Sequence, residues 1–227
     1  MENVKEYRLK IVTGQYQNAP LDQQKMIQEL FGKNAEHSYE IYFHWYNVIH
    51  ELGHAIMMFN SSSRPHPAEE EQMVNDFAYA YWKYYGEQEK LKELDYIIEE
   101  TIQKFTIPAD NSVSYLDYAK DKWGTEELFT FNNNGWVQFS SVKAAITGGT
   151  SLEQALSRMC SGKISPQIPK VMEYKICTQM PVQIIADAVK ELRGWGVSLP
   201  EGNEIVFGED VNCHMCQIEN LRDGRIF

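Results

Sequence analysis

Five consecutive residues, His50-Glu51-Leu52-Gly53-His54, match the pattern H-E-x-x-H. Residues four apart on a helix lie on one face about a turn apart, so two imidazoles can converge on one tetrahedral ion. Glu51 is turned about 100° from His50. That placement suits a general base that takes a proton from a water on the ion's open side, not a third ligand. The chemistry implied is zinc-assisted attack of water on a carbonyl.

The third ligand has to come from elsewhere. A longer pattern with Gly and His following the motif fails, because Met57 and Asn60 stand at those positions. The next helix offers Glu69, Glu70, Glu71 and Asp76. On a helical wheel Glu71, Asn75, Ala78 and Trp82 share one face within about 40°, with Val74 beside them. Glu70 points about 100° off that face, and Asp76 lies farther round. Glu71 is therefore the expected third ligand. Asn75, one turn later, can hold a ligand histidine by hydrogen bonding. Glu69 and Glu70 are expected to occupy a solvated helix start, where acids favour the positive end of the dipole.

The elements that position these residues follow from periodicity. With His50 at zero on the wheel, Trp45, Val48, Leu52, Ala55, Ile56 and Phe59 fall between about 140° and 260°, opposite the histidines. A helix over 38–59 would bury that back and turn both ligands to a cleft. Gly53 costs helix stability and suggests a close approach near the metal. Residues 60–68 read as a loop, with Pro67 opening a helix to about Tyr85 and a stop near Gly86.

The remainder is an α+β pattern, mostly helical with a small sheet. A strand is expected over 7–14, and helices over 21–31, 88–105, 115–123 and 181–193. The Asn132-Asn133-Asn134-Gly135 run reads as a turn before a strand over 135–139. Thr150 with Glu153 suggests a capping box for a helix to Met159, and a last strand covers 204–207. A break over 107–114 divides a metal-binding core, 1–108, from a C-terminal region, 109–227, unless the two form one domain.

The 227 residues carry a formal charge of −11, with 43% hydrophobic and 23% charged content. That balance is ordinary for a globular chain and argues against a nucleic-acid surface, which needs clustered Lys and Arg. No apolar run is long enough to span a bilayer, and the start has no signal-peptide pattern. A cytoplasmic protein without membrane partners is expected. Cys160, Cys177, Cys213 and Cys216 are expected as thiols. Cys213-His214-Met215-Cys216 is a weak signal, compatible with a redox pair, part of a second zinc site, or a plain turn. His44 is expected to be a packed or surface histidine, not a ligand. His66, Tyr79 and Tyr81 are the candidates for stabilising an oxyanion, with ordinary packing the favoured reading of each.

His-Glu-Leu-Gly-His, a short loop, then Glu71-Gln72-Met73-Val74-Asn75-Asp76-Phe77-Ala78 resembles the ImmA/IrrE family of gluzincin-type metallopeptidases over about residues 38–85. Asn75, Phe77 and Ala78 match its Glu-Ala-Asn-x-Phe-Ala run, while Met73 and Val74 replace the usual Glu and Ala. Glu71, four before Asn75, fits the wider gluzincin Glu-x-x-x-Asp spacing with Asn75 as the variant. The resemblance implies a zincin-like fold with the motif on a central helix, and Zn2+ as cofactor. It also implies a protein or peptide substrate, in many members a bacterial or phage-like regulator. Met73 motivates the alternative, a non-catalytic regulatory or binding protein with a structural or degenerate zinc site.

Overall fold

The computed structural model describes residues 4–108 and 113–227, so the centre of the expected break over 107–114 lies outside the described residues. The architecture is α+β, mostly helical with one small sheet, as the patterning predicts. Helices α1 (Leu21–Phe31), α2 (Ala35–Tyr39), α3 (Asn47–Asn60), α4 (Pro67–Tyr85) and α5 (Gln88–Ile102) follow strand β1 (Tyr7–Gly14). Then come α6 (Tyr115–Lys122), α7 (Phe131–Gly148), α8 (Leu152–Met159), α9 (Met180–Gly194) and strands β2 (Gly202–Gly208) and β3 (Met215–Asn220). Among the described residues, no helix is long and apolar enough to cross a membrane.

The sheet order is β2-β1-β3, with β1 parallel to β2 and antiparallel to β3. Alternation along β1 buries Leu9 and Ile11 while Arg8 is exposed. Leu9 and Ile11 stand opposite Asn203 and Ile205 on one side and Ile218 and Cys216 on the other. A strand from the first tenth of the chain is thus completed by two from the last tenth. One cluster of buried side chains runs from Tyr7 to Ile218 and takes in the back of α3.

Residues 35–60 are helical throughout, as expected, but Glu40–Tyr46 winds as π-helix between α2 and α3. His44 is wholly buried there, its Nδ1 2.6 Å from Glu40 Oε2 and its Nε2 2.8 Å from the Gly14 carbonyl. It is packed, one of the two non-ligand placements expected from sequence.

Three expectations need correction. The segment 135–139 is helix, not strand. Asn132 and Asn133 spend their side chains on tertiary bonds to Thr106, Tyr118 and the Glu127 carbonyl, while Thr130 caps the start of α7. Gly135 lies against the Phe105 ring, where an added Cβ would sit 2.4 Å from it, so the glycine serves close packing rather than a turn. The capping box of α8 is Ser151 with Gln154, one residue later than Thr150 and Glu153. Finally, 204–207 is not the last strand: β3 follows, and Cys216 lies in it beside Ile11. All four cysteines are free thiols, as expected.

His214, between Cys213 and the start of β3, stacks on Phe43 at 4.1 Å. Its Nε2–H donates to the Val211 carbonyl at 2.8 Å, so Nδ1 accepts from Thr13 Oγ1 at 2.9 Å. Burial pushes its pKa down to about 3, helped by His44 and opposed by the Val211 carbonyl. Between the unfolded value near 6.5 and 3, the unfolded chain therefore binds the extra proton. Stability falls as pH drops through that window, by up to ~1.4 kcal/mol per pH unit. Urea unfolding of wild type and His214→Gln at pH 7, 5.5 and 4 checks this. The variant is expected to lose less stability on acidification, and the His214 ring resonances of the wild type should stay at their neutral values at pH 5.

Candidate metal centre

Helices α3 and α4 pack face to face, and Gly53 sets their separation. A Cβ on Gly53 would stand 2.8 Å from Val74 Cβ and 3.3 Å from Phe77 Cδ1, closer than carbon atoms pack. The close approach expected from this glycine is therefore the side chains of the second helix. The apolar back of α3 is buried as read from the wheel, with Val48, Leu52, Ala55 and Ile56 at 0–1% exposure.

At this contact His50, His54 and Glu71 come together, each offering one ligand atom within 4.8 Å of the others. His50 Nε2 is 3.3 Å from Glu71 Oε2, and His54 Nε2 is 3.5 Å from Glu71 Oε1. Ligands about 2.0–2.1 Å from a tetrahedral zinc stand about 3.3 Å from one another. The two separations, each to a different oxygen of Glu71, are close to such an edge, and the donor set of two nitrogens and one carboxylate suits zinc. His50 is buried and Glu71 half-open, so the trio lies at the floor of a cleft.

Both imidazoles are held with Nε2 toward Glu71. His54 Nδ1 lies 2.9 Å from Glu70 Oε1. A carboxylate only accepts, so Nδ1 carries the hydrogen and Nε2 is left as the ligand. Glu70 in turn accepts from Arg64 Nε at 2.7 Å and from Arg64 Nη2. His50 Nδ1 lies 2.9 Å from Asn75 Oδ1, which also accepts from Tyr46 Oη at 3.0 Å.

The orientation of the Asn75 amide is fixed from a distance. Asp76 accepts from Gln72 Nε2 at 2.8 Å, which turns Gln72 Oε1 toward Ser141 Oγ, 2.9 Å away, and toward the Tyr115 hydroxyl. Ser141 donates there and accepts from Asn75 Nδ2 at 2.9 Å, and the same amide donates to the Glu71 carbonyl. Asn75 Oδ1 is left to face His50. A chain from Asp76 through Gln72, Ser141 and Asn75 thus sets which nitrogen of His50 is free.

Glu51, the expected general base, is buried on the same helix, and one carboxylate oxygen accepts from Asn47 Nδ2 at 3.1 Å. Burial disfavours charge on His50, but its contact with Glu71 and the nearness of Glu51 outweigh this and raise its pKa to about 9. Glu71 is likewise held below the usual carboxylate range: burial opposes this, and the His50 contact wins. Tyr42 is buried with both these carboxylates nearby. Desolvation first and then Glu71 and Glu51 keep its phenol protonated.

The structure corrects one further expectation. Glu70 is not a solvated helix-start residue; it is 4% exposed and grips His54. Glu69 does stay at the surface, paired with Lys120. None of the three oxyanion candidates stands free for that role. His66 caps α4 by accepting from the Ala68 N–H, Tyr79 donates to Asp95, and the buried Tyr81 hydroxyl faces Met172. Met73 belongs to the side chains packed against the core, so its departure from the family run removes no member of the trio.

A cavity of about 350 Å³ lies beside two members of the trio, His54 and Glu71, and is further bordered by Glu70, Arg64, Pro65 and Pro67. A larger one, about 410 Å³, lies away from it beside Lys33, His37, Glu40 and Cys177. Among the described residues the metal-ligating cluster is at the smaller. Models of known protein families, curated proteins and solved structures provide no match to this chain.

Asn75→Ala and Glu70→Ala should each weaken zinc binding 10–100-fold, the usual cost of losing a partner that orients a ligand. Competition with a chromophoric chelator measures it. Gly53→Ala gains about 1 kcal/mol of helix propensity but forces α3 from α4 at an overpacking cost of about 1–3 kcal/mol. Net destabilisation and weaker zinc binding are expected, read by urea unfolding and the same chelator.

Proposed function

We propose that the chain is a zinc metallopeptidase of zincin-like fold, hydrolysing peptide bonds of a protein or peptide substrate, with His50, His54 and Glu71 as ligands and Glu51 as general base. The observation that carries this reading is the tetrahedral-edge spacing between Glu71 and two histidines whose Nδ1 atoms are both committed to acceptors. A structural zinc site is closed by four protein ligands, whereas a catalytic one keeps a position open. Here the described residues supply three donors beside a cavity.

Zinc held there supplies Lewis acidity toward a carbonyl oxygen and makes a bound water easier to deprotonate. The protein does the rest. Asn47 fixes one oxygen of the Glu51 carboxylate and leaves the other to take the proton from the attacking water. That proton can then pass from Glu51 to the leaving nitrogen. Asn75 and Glu70 keep both ligand rings in the tautomer that binds metal, so no proton has to be rearranged on those rings during turnover.

Glu51→Gln should lower hydrolysis of a quenched-fluorescent peptide library about 10²–10⁴-fold, the range for loss of a general base, while zinc content stays near one per chain. An unchanged rate would remove Glu51 from the chemistry. His54→Ala and Glu71→Ala should instead lose the metal itself, as read by elemental analysis of folded protein.

A further inference from the structure

The cavity at the metal centre is bordered by six residues of very unequal chemistry. Pro65 and Pro67 have no backbone N–H, and Glu70 and Glu71 only accept. Of the His54 nitrogens, one is spent on Glu70 and the other faces Glu71. Arg64 is therefore the one side chain among the six with donors to spare.

A guanidinium has five N–H donors. Glu70 engages the Nε side of Arg64 through Nε and Nη2, which leaves the Nη1/Nη2 fork free. The Arg64 side chain is 52% exposed, while that of Glu70 is 5% exposed. A buried acid thus anchors the inner edge of the group and its outer edge stays open. A free planar fork matches a carboxylate in bidentate fashion, and a lysine could not provide that geometry.

Position narrows the ligand further. Glu70 lies on the Nδ1 edge of the His54 ring, whereas the metal-facing atom is Nε2. Arg64 is therefore beyond the ring from the metal, set back from the reacting carbonyl and suited to a group farther along the substrate. One residue of extended chain advances about 3.3 Å, so the Arg64 fork, beyond the His54 ring and Glu70, meets a group within a few residues of the reacting carbonyl.

We propose that Arg64 reads a carboxylate on the substrate within a few residues of the scissile bond, so that the site prefers an acidic peptide. The carboxylate is either a chain terminus or an Asp or Glu side chain; the chemistry at Arg64 is the same for both. This inference rests on the metallopeptidase reading above for the seating of the substrate, but its test is equilibrium binding and requires no turnover.

The zinc-loaded full chain is titrated by calorimetry with glutarate and with glutaramate, its monoamide, which differ only in one carboxylate. Glutarate is expected to bind at least tenfold more tightly. In Arg64→Gln the two should agree within twofold, with zinc still near one per chain, and Lys120→Gln, at the surface pair with Glu69, should keep the full preference. Should Arg64→Gln fail to fold, Arg64→Lys replaces it and is expected to retain only part of the preference. Equal binding of the two ligands by wild type, or a preference undiminished in the Arg64 variant, overturns the proposal.

Competition by two peptide pairs then identifies the source. One pair carries Glu or Gln internally with an amidated end, and the other has a neutral sequence with a free or amidated end. An Arg64-dependent preference in either pair supports the proposal and names the carboxylate, while its absence from both overturns it. A chain that binds zinc and discriminates these ligands yet cleaves no peptide would refute the peptidase reading alone.

Discussion

The distance between α3 and α4 is the constraint on which the site depends. The trio is split between two helices, so its geometry is set by side-chain packing rather than by the backbone of either one. Gly53 against Val74 and Phe77 permits the close contact, and Trp45, in the π-helical stretch before α3, stacks on Trp82 of α4 at 4.1 Å. Protein interiors are packed as densely as organic crystals and yield little. A shift of less than 1 Å between the helices would take Glu71 off the tetrahedral edge it makes with His50 and His54. The two motifs are therefore one device: the three donors converge only while both helices keep this contact.

The later helices stiffen this device instead of adding chemistry to it. Ser141 on α7 and Tyr115 on α6 bond to Gln72, and Arg158 on α8 reaches Asp76 at 3.1 Å. Each contacts the polar side of α4 between or beside the residues that hold the metal trio. Because every link in this network has its donor and acceptor roles determined by a carboxylate at the end, the tautomer of His50 follows from residues that never approach it. A buried network of this kind is favourable only when all its members are satisfied, and the Asn75 amide is.

Much of this arrangement was legible in the residues alone, and the reason is periodicity. His50, His54, Glu71 and Asn75 were placed by angles on two helical wheels, and the packed back of α3 is the same wheel seen from the other side. What escaped depended on contacts from outside the local window. Glu70 was assigned to solvent because its wheel angle is wrong for the shared face and acids are common at helix starts. Its carboxylate is drawn inward by Arg64, in the preceding loop, and by His54, neither of which enters a wheel of α4. The strand expected at 135–139 failed similarly. Asn-Asn-Asn-Gly is a strong turn signature, and only Thr106, Glu127 and Phe105 reveal that these residues open a packed helix. Strand β3 was missed because its register is dictated by β1, some 200 positions earlier in sequence.

The π-helical stretch before α3 answers a conflict between two such distant demands. His44 is pinned to Gly14 at the end of β1 and to Glu40, while Tyr46, two residues on, must reach Asn75 on α4. A wider turn changes the angle between these faces without ending the helix, and π-turns of this kind often occur near functional sites. At the other end of α3, Asn60 exchanges two hydrogen bonds with the Ser198 backbone, at 2.9 and 2.7 Å. The helix bearing both histidines is thus tied at its start to the sheet and at its finish to the segment leading into β2. The ties matter more than the helix's own propensity, since Gly53 weakens it near the middle. A ligand helix that cannot slide or tilt keeps its imidazoles aimed at a partner on another element, and most of the remaining chain is arranged to that end.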